Sequence, residues 1–222
     1  MISEILPVEV ASAEASEDPR CAVLFAEEEA VVARAVDKRR REFTTVRHCA
    51  RRALAELGFQ PAPLLPGPRG APRWPEGAVG SMTHCKGYRA AAVARASQVR
   101  TIGIDAEPHD ALPSGVLDAI GLTEEKRALE QLAAAGGTVC WDRLLFCAKE
   151  AVYKAWFPLT GRWLGFSDAS VAIDPVARTF HARLQVVGPE VGGTVLSGFS
   201  GRWLIGNGLV LAAVTVLDSG DR

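Results

Sequence analysis

From residue 141 to residue 156 the chain reads WDRLLFCAKEAVYKAW. Leu145, Ala148, Val152 and Trp156 recur at helical spacing and form an apolar stripe. The pattern predicts a helix from Cys140 to Phe157, ended by Pro158. Upstream, TIGIDAEP at 101–108 is β-like and is closed by a proline that cannot extend a ladder. Two further β-like runs precede it, Ala78 to Met82 and Ala90 to Ala96, and the three together predict a small antiparallel sheet. Before them, Val32, Val36, Phe43, Val46, Ala50, Ala53 and Leu57 predict one long amphipathic helix or two shorter ones between Glu27 and Gly58. Prolines crowd residues 61–77, which must be loop. Helical pattern returns from Pro113 to Ala135. The end is β again, with runs at 170–173 and 179–187 and a hairpin through Asn207-Gly208. The order is helix, strands, helices, strands, which predicts an α+β fold of two related halves, 1–107 and 108–222, forming one compact unit.

Composition narrows the function. The 222 residues hold 25 Lys+Arg against 26 Asp+Glu and are 48% hydrophobic, so a real core forms and no whole-surface field exists for nucleic acid. Charge is nonetheless segregated: residues 1–33 carry eight acids against Arg20, whereas residues 34–52 carry eight bases against Asp37 and Glu42. The acidic start is expected to cover the basic helix. Glu4 and Glu9 stand where a signal peptide needs positive charge, and the longest apolar stretch, 208–217, is about half the ~20 residues of a membrane span. A cytoplasmic protein with no membrane partner is expected. Five cysteines without a C-x-x-C pair predict free thiols, and their spacing to histidines argues against zinc.

Four groups of residues are able to carry chemistry. On a strand, Asp105 and Glu107 point to one face, where their mutual repulsion is relieved by a hard divalent cation or simply by solvent. On the helix, Glu150 and Lys154 share a face, as a reactive pair or an ordinary surface ion pair. Lysine is scarce, five residues against twenty arginines, yet Lys149 and Lys154 both fall in this segment. Thr83 and His84, at a strand end, offer phosphate contacts or a satisfied structural histidine. Arg39 and Arg47, ~12 Å apart along a helix axis, are able to converge on one phosphate, or to form a solvated basic face. Motifs for a serine hydrolase elbow, a P-loop and a dinucleotide fold are absent from the sequence.

Taken together, GIDAEP at 103–108 and FCAKEAVYKAW at 146–156 resemble the 4′-phosphopantetheinyl transferases, in particular the monomeric, broad-specificity type of the actinobacterial branch. The likeness extends to VRHCARRAL, PRGAPRWP, GSMTHCKGY and WFPLTGRWLGF. The resemblance implies two pseudo-symmetric halves, each with a small antiparallel sheet packed on a long helix. It also implies coenzyme A with Mg²⁺ or Mn²⁺ between them, and apo acyl or peptidyl carrier domains as partners. It assigns Asp105, Glu107 and Glu150 to the metal, and Glu150 as general base. Lys154 and Lys149 face the diphosphate, Thr83 and His84 the ribose-side phosphates, and Arg39 and Arg47 the 3′-phosphate. Arg69 and Gly70 frame the adenine. Pro66 stands where some relatives place a lysine. Two other readings compete: a nucleic-acid-binding module using the Arg34–Arg52 helix, and a carrier-protein adaptor that has lost turnover.

Overall fold

A computed structural model describes residues 1–218. After a 3-10 turn (Ile2–Ile5) come β1 (Val10–Ala15), α1 (Ala26–Val31), α2 (Asp37–Glu56), β2 (Ala78–Cys85), β3 (Tyr88–Arg95) and β4 (Val99–Pro108). They are followed by α3 (Val116–Ile120), α4 (Thr123–Ala134), α5 (Trp141–Thr160), β5 (Ala169–Asp174) and β6 (Thr179–Leu184). The short pair β7 (Glu190–Val191) and β8 (Thr194–Val195) precedes β9 (Gly198–Gly206) and β10 (Leu209–Leu217). A three-stranded sheet runs β1-β3-β2 and a five-stranded sheet runs β4-β10-β9-β6-β5.

Each sheet carries one long helix. Phe43, Val46, Ala50, Ala53 and Leu54 form the buried stripe of α2, and part of it packs on Ala91 and Val93 of β3 and Ala13 of β1. Leu144, Leu145, Ala148, Val152 and Trp156 of α5 pack on Val171, Phe180, Phe199, Ala212 and Val214. At Gly103 the helix backbone lies directly on β4, where an added Cβ would stand 1.9 Å from the Ala151 carbonyl oxygen. The Thr101 hydroxyl donates to the Ala155 carbonyl at 2.8 Å alongside it. The α+β fold of two halves, each a sheet on a helix, is as expected, and the β9–β10 hairpin turns through Asn207 and Gly208, both with positive φ.

The structure corrects two local expectations and adds a strand. Residues 101–108 do not join β2 and β3 in one ladder: β4 pairs with β10 along its length. The sheets therefore divide before β4 and not at 107/108. Where β2 meets β4, side chains replace the ladder, with the Ile104 amide donating to Ser81 Oγ and the Ala106 amide to Thr83 Oγ1. The edge amides of β4 are thereby satisfied without a continuous sheet. Pro158 does not end α5, which runs to Thr160 and closes when the left-handed Gly161 donates to the Phe157 carbonyl. Pro158 forfeits the hydrogen bond to the Lys154 carbonyl, and the helix has only two residues left to run. Finally, residues 10–15 form a strand that their alanine-rich sequence conceals.

One device recurs in both halves. Glu28, at the third position of α1, accepts from the Phe25 amide, from Arg51 of α2 and from the Leu64 amide in the segment after it. Glu125, at the same position of α4, accepts from the Leu122 amide, pairs with Lys149 of α5 and accepts from the Val171 amide beyond it. Both carboxylates are buried. The acidic start covers the basic helix in part, through Asp18 beside Arg41, Glu29 beside Arg40 and Glu28 beside Arg51.

Candidate active site

Between the halves lies a cleft of about 920 Å³, within the size range of small-molecule sites. Arg39 and Arg47 of α2, Arg69 and Gly70 of the proline-rich loop, His84 of β2, and Glu150 and Lys154 of α5 all line it. Seven residues singled out in the sequence thus meet in one space, cations from the first half opposite the acid and ammonium of the second. A second groove of about 610 Å³, on the outer face of the five-stranded sheet, contains none of them.

The cationic wall is built with care for its donors. Arg39 is exposed, and its Nη1 lies 3.0 Å from His84 Nε2. Since the guanidinium only donates, that ring nitrogen accepts and the imidazole is neutral. Burial pushes the His84 pKa down, against the pull of Glu42. Arg47 is buried, lies over the Phe43 ring and donates to the Leu64 carbonyl at 2.8 Å; burial lowers its pKa to about 10. Pro66 and Pro72 bridge the base of the loop, Gly67 donates to the Ala71 carbonyl, and the tip turns through left-handed Arg69 and Gly70. The Arg69 guanidinium reaches across to the Trp163 ring, 5.3 Å from its centroid.

The chemistry-bearing end centres on Asp105. Its Oδ1 accepts from Lys154 Nζ at 2.7 Å and from the Thr83 hydroxyl at 3.1 Å. Lys154 also donates to the Ile104 carbonyl. Burial disfavours the ammonium, but the Asp105 carboxylate outweighs it and raises the Lys154 pKa. Lysine 154 therefore pairs with a residue 49 positions away and not with Glu150 on its own helix face. Glu150, with no ion pair among the described residues, has its pKa raised by burial and by Asp105, with Lys154 opposing. Glu107 is raised by the same two causes and is held at 3.0 Å by Arg143, which also donates to the Asp110 and Ala111 carbonyls.

Among the described residues no three acid, histidine or cysteine side chains are gathered as a metal-binding cluster. The expected trio is instead divided, Asp105 bound to Lys154 and Glu107 to Arg143. The donor set nonetheless fits a hard divalent ion. Asp105 Oδ2 is buried with no hydrogen-bond partner among the described residues, and the charge of Asp105 disfavours ionisation of both neighbouring acids.

Two expected residues face elsewhere. Lys149 is buried and holds the Glu125 carboxylate and the Phe166 and Ala169 carbonyls. Its position in the stripe Leu145, Val152, Trp156 was the available signal. Thr83 turns inward to β4, because neighbours on a strand point to opposite faces and His84 takes the cleft side. Part of the basic helix that the nucleic-acid reading relied on is engaged within the protein, Arg40, Arg41, Arg47 and Arg51 by Glu29, Asp18, the Leu64 carbonyl and Glu28. Sequence reasoning missed Trp74 and Tyr153 in the cleft and Arg143 behind Glu107. Tyr153 was findable, three residues after Glu150 on its face.

Comparison with known proteins places the chain in a family. Residues 27–94 match the model of the 4′-phosphopantetheinyl transferase N-terminal domain, and residues 101–189 that of the 4′-phosphopantetheinyl transferase superfamily. The chain is 57% identical over 220 residues to the 4′-phosphopantetheinyl transferase Svp of Streptomyces mobaraensis, covering 97% of this chain and 89% of that one. It is 52% identical to Npt of Nocardia iowensis (96% and 99% covered) and 49% identical to PptT of Mycobacterium tuberculosis (97% and 98% covered).

Proposed function

The chain belongs to the 4′-phosphopantetheinyl transferase superfamily and is a transferase of that class, and we propose how its residues divide the work. The reaction moves 4′-phosphopantetheine from coenzyme A to a serine of an apo acyl or peptidyl carrier domain. The serine oxygen forms a bond to the β-phosphorus, and the bond from that phosphorus to the oxygen bridging it to the adenosine side breaks. Adenosine 3′,5′-bisphosphate leaves.

Arg39, Arg47 and Arg69 bind the anionic nucleotide end, with His84 fixing the direction of Arg39. Asp105, Glu150 and Glu107 are the residues that would hold Mg²⁺ or Mn²⁺, which would supply Lewis-acid neutralisation of the diphosphate. Lys154, kept cationic by Asp105, stabilises the negative charge that develops toward the leaving group. Glu150 takes the serine proton; a carboxylate whose pKa is raised is the stronger base. Both walls of the cleft come from one chain, so the protein works as a monomer. A set of unpaired thiols suits the reducing cytoplasm, and no helix among the described residues is long and apolar enough to cross a membrane.

The observation that carries this reading is the single cleft in which arginines of α2 and the loop oppose Glu150 and Lys154 of α5. Incubation with coenzyme A, Mg²⁺ and an apo carrier domain, followed by intact mass measurement, tests it. A serine-linked phosphopantetheine is expected, and an unmodified carrier refutes it.

A further inference from the structure

Glu28 has no exposed surface, an unusual state for a carboxylate, and it lies behind the cleft wall and outside the cleft itself. Its Oε1 accepts from Arg51 Nη1 and from the Leu64 amide, both at 2.8 Å, and its Oε2 accepts from the Phe25 amide at 2.9 Å. Arg47 Nε stands 3.8 Å away and donates to the carbonyl of the same Leu64 whose amide Glu28 holds. Glu28, Leu64 and Arg47 therefore close a ring that ties α1, α2 and the start of the proline-rich loop together. Leu64 is fully buried, and two residues later Pro66 begins the bridged turn that carries Arg69 and Gly70 to the cleft.

The matching device in the second half separates fold from function. Glu125 fastens a helix start, a lysine of α5 and the Val171 amide, but Lys149 is turned into the core and Val171 begins no cleft loop. In the first half the matching cation is Arg51, and the cleft-lining Arg47 stands 3.8 Å from the same carboxylate while donating to Leu64. We propose that Glu28 is a positioning residue for the nucleotide end of the coenzyme, fixing Arg47 directly and Arg69 through Leu64. This rests on the functional reading above. Without the negative charge the neighbouring guanidinium groups of Arg47 and Arg51 repel each other, and a glutamine keeps an acceptor for only one of the Phe25 and Leu64 amides, so Arg47 and the loop that carries Arg69 leave their places. Asp105, Glu150 and Lys154, on β4 and α5, are untouched, so chemistry on bound substrate persists.

The test is Glu28→Gln, read by steady-state kinetics and by calorimetric binding of adenosine 3′,5′-bisphosphate. The KM for coenzyme A and the Kd for the bisphosphate are expected to rise about tenfold together, with kcat within about threefold of the parent. Glu125→Gln, which removes a buried acid of the same kind, is expected to lower thermal stability and leave the bisphosphate Kd unchanged. If Glu28→Gln does not fold, Glu28→Asp keeps the charge but shortens its reach, and the same rise in Kd is expected. An unchanged Kd in a folded Glu28 variant, a fall in kcat at constant KM, or an equal loss in Glu125→Gln overturns the proposal. A parent protein that neither transfers phosphopantetheine nor binds the bisphosphate refutes the functional reading and this inference with it. An active parent with an unaffected Glu28 variant refutes only the inference.

Discussion

Replacing Lys154 with methionine keeps the buried stem and removes the charge that Asp105 depends on. In the parent, Asp105 is 5% exposed, its Oδ2 has no hydrogen-bond partner among the described residues and its Oδ1 accepts from Lys154 at 2.7 Å and Thr83 at 3.1 Å. The variant leaves that carboxylate with one neutral donor. Breaking a fully buried pair costs about 3–5 kcal/mol. The Lys154 side chain retains 27% of its surface, so water replaces part of the loss and ~3 kcal/mol is the working figure. For a chain of this size that lowers Tm by ~6–12 °C. The assay is thermal unfolding by circular dichroism in chelator-treated buffer. Adding Mg²⁺ to 100 times its Kd is expected to add ~2.7 kcal/mol by mass action, because the cation binds the carboxylates of the folded state and not the unfolded chain. A Tm within about 2 °C of the parent without metal, under 1 kcal/mol on the same scale, refutes the claim that the ammonium sustains the buried acid.

Glu150→Gln is expected to lower turnover ~10²–10⁴-fold with the bisphosphate Kd unchanged. Because the folded state holds this carboxyl above its ordinary pKa, ionisation above that window costs stability, so the variant melts higher at neutral pH; near-parent turnover or a lower Tm counts against both statements. His84 is depressed below its ordinary value near 6.5, so the unfolded chain binds the proton more readily and stability falls as pH drops from 6.5 through the folded pKa. In His84→Gln the slope of Tm against pH across that window flattens; an unaltered slope assigns the acid sensitivity elsewhere. Gly103→Ala drives a Cβ to 1.9 Å from the Ala151 carbonyl and 2.7 Å from the Ala155 amide nitrogen, both backbone atoms that have no rotamer to change. A cost of about 3 kcal/mol is expected, and a Tm loss below about 2 °C in calorimetry shows that α5 does not rest on β4 as described.

The long helices and the Asn207-Gly208 hairpin were legible because their signals are local: a stripe repeats every few residues, and a turn needs only its own two. The candidate site residues were legible as types, each with an ordinary surface reading beside the functional one, and the resemblance chose between the two. Their partners were not. Lys154 with Asp105, Arg143 with Glu107 and Glu28 with Leu64 are pairs 49, 36 and 36 positions apart.

What the sequence determined by itself was helix or strand for most segments, the strand at 10–15 excepted, and which side chains carry charge worth using. The tertiary structure alone decided that β4 leaves its neighbours for β10, that Lys149 and Thr83 turn inward while Lys154 and His84 face the cleft, and that Glu28 sits behind Arg47. The reason is physical. Periodicity fixes a side chain's direction only relative to its own element, and the direction relative to the rest of the molecule is set when sheets and helices bury their apolar faces together.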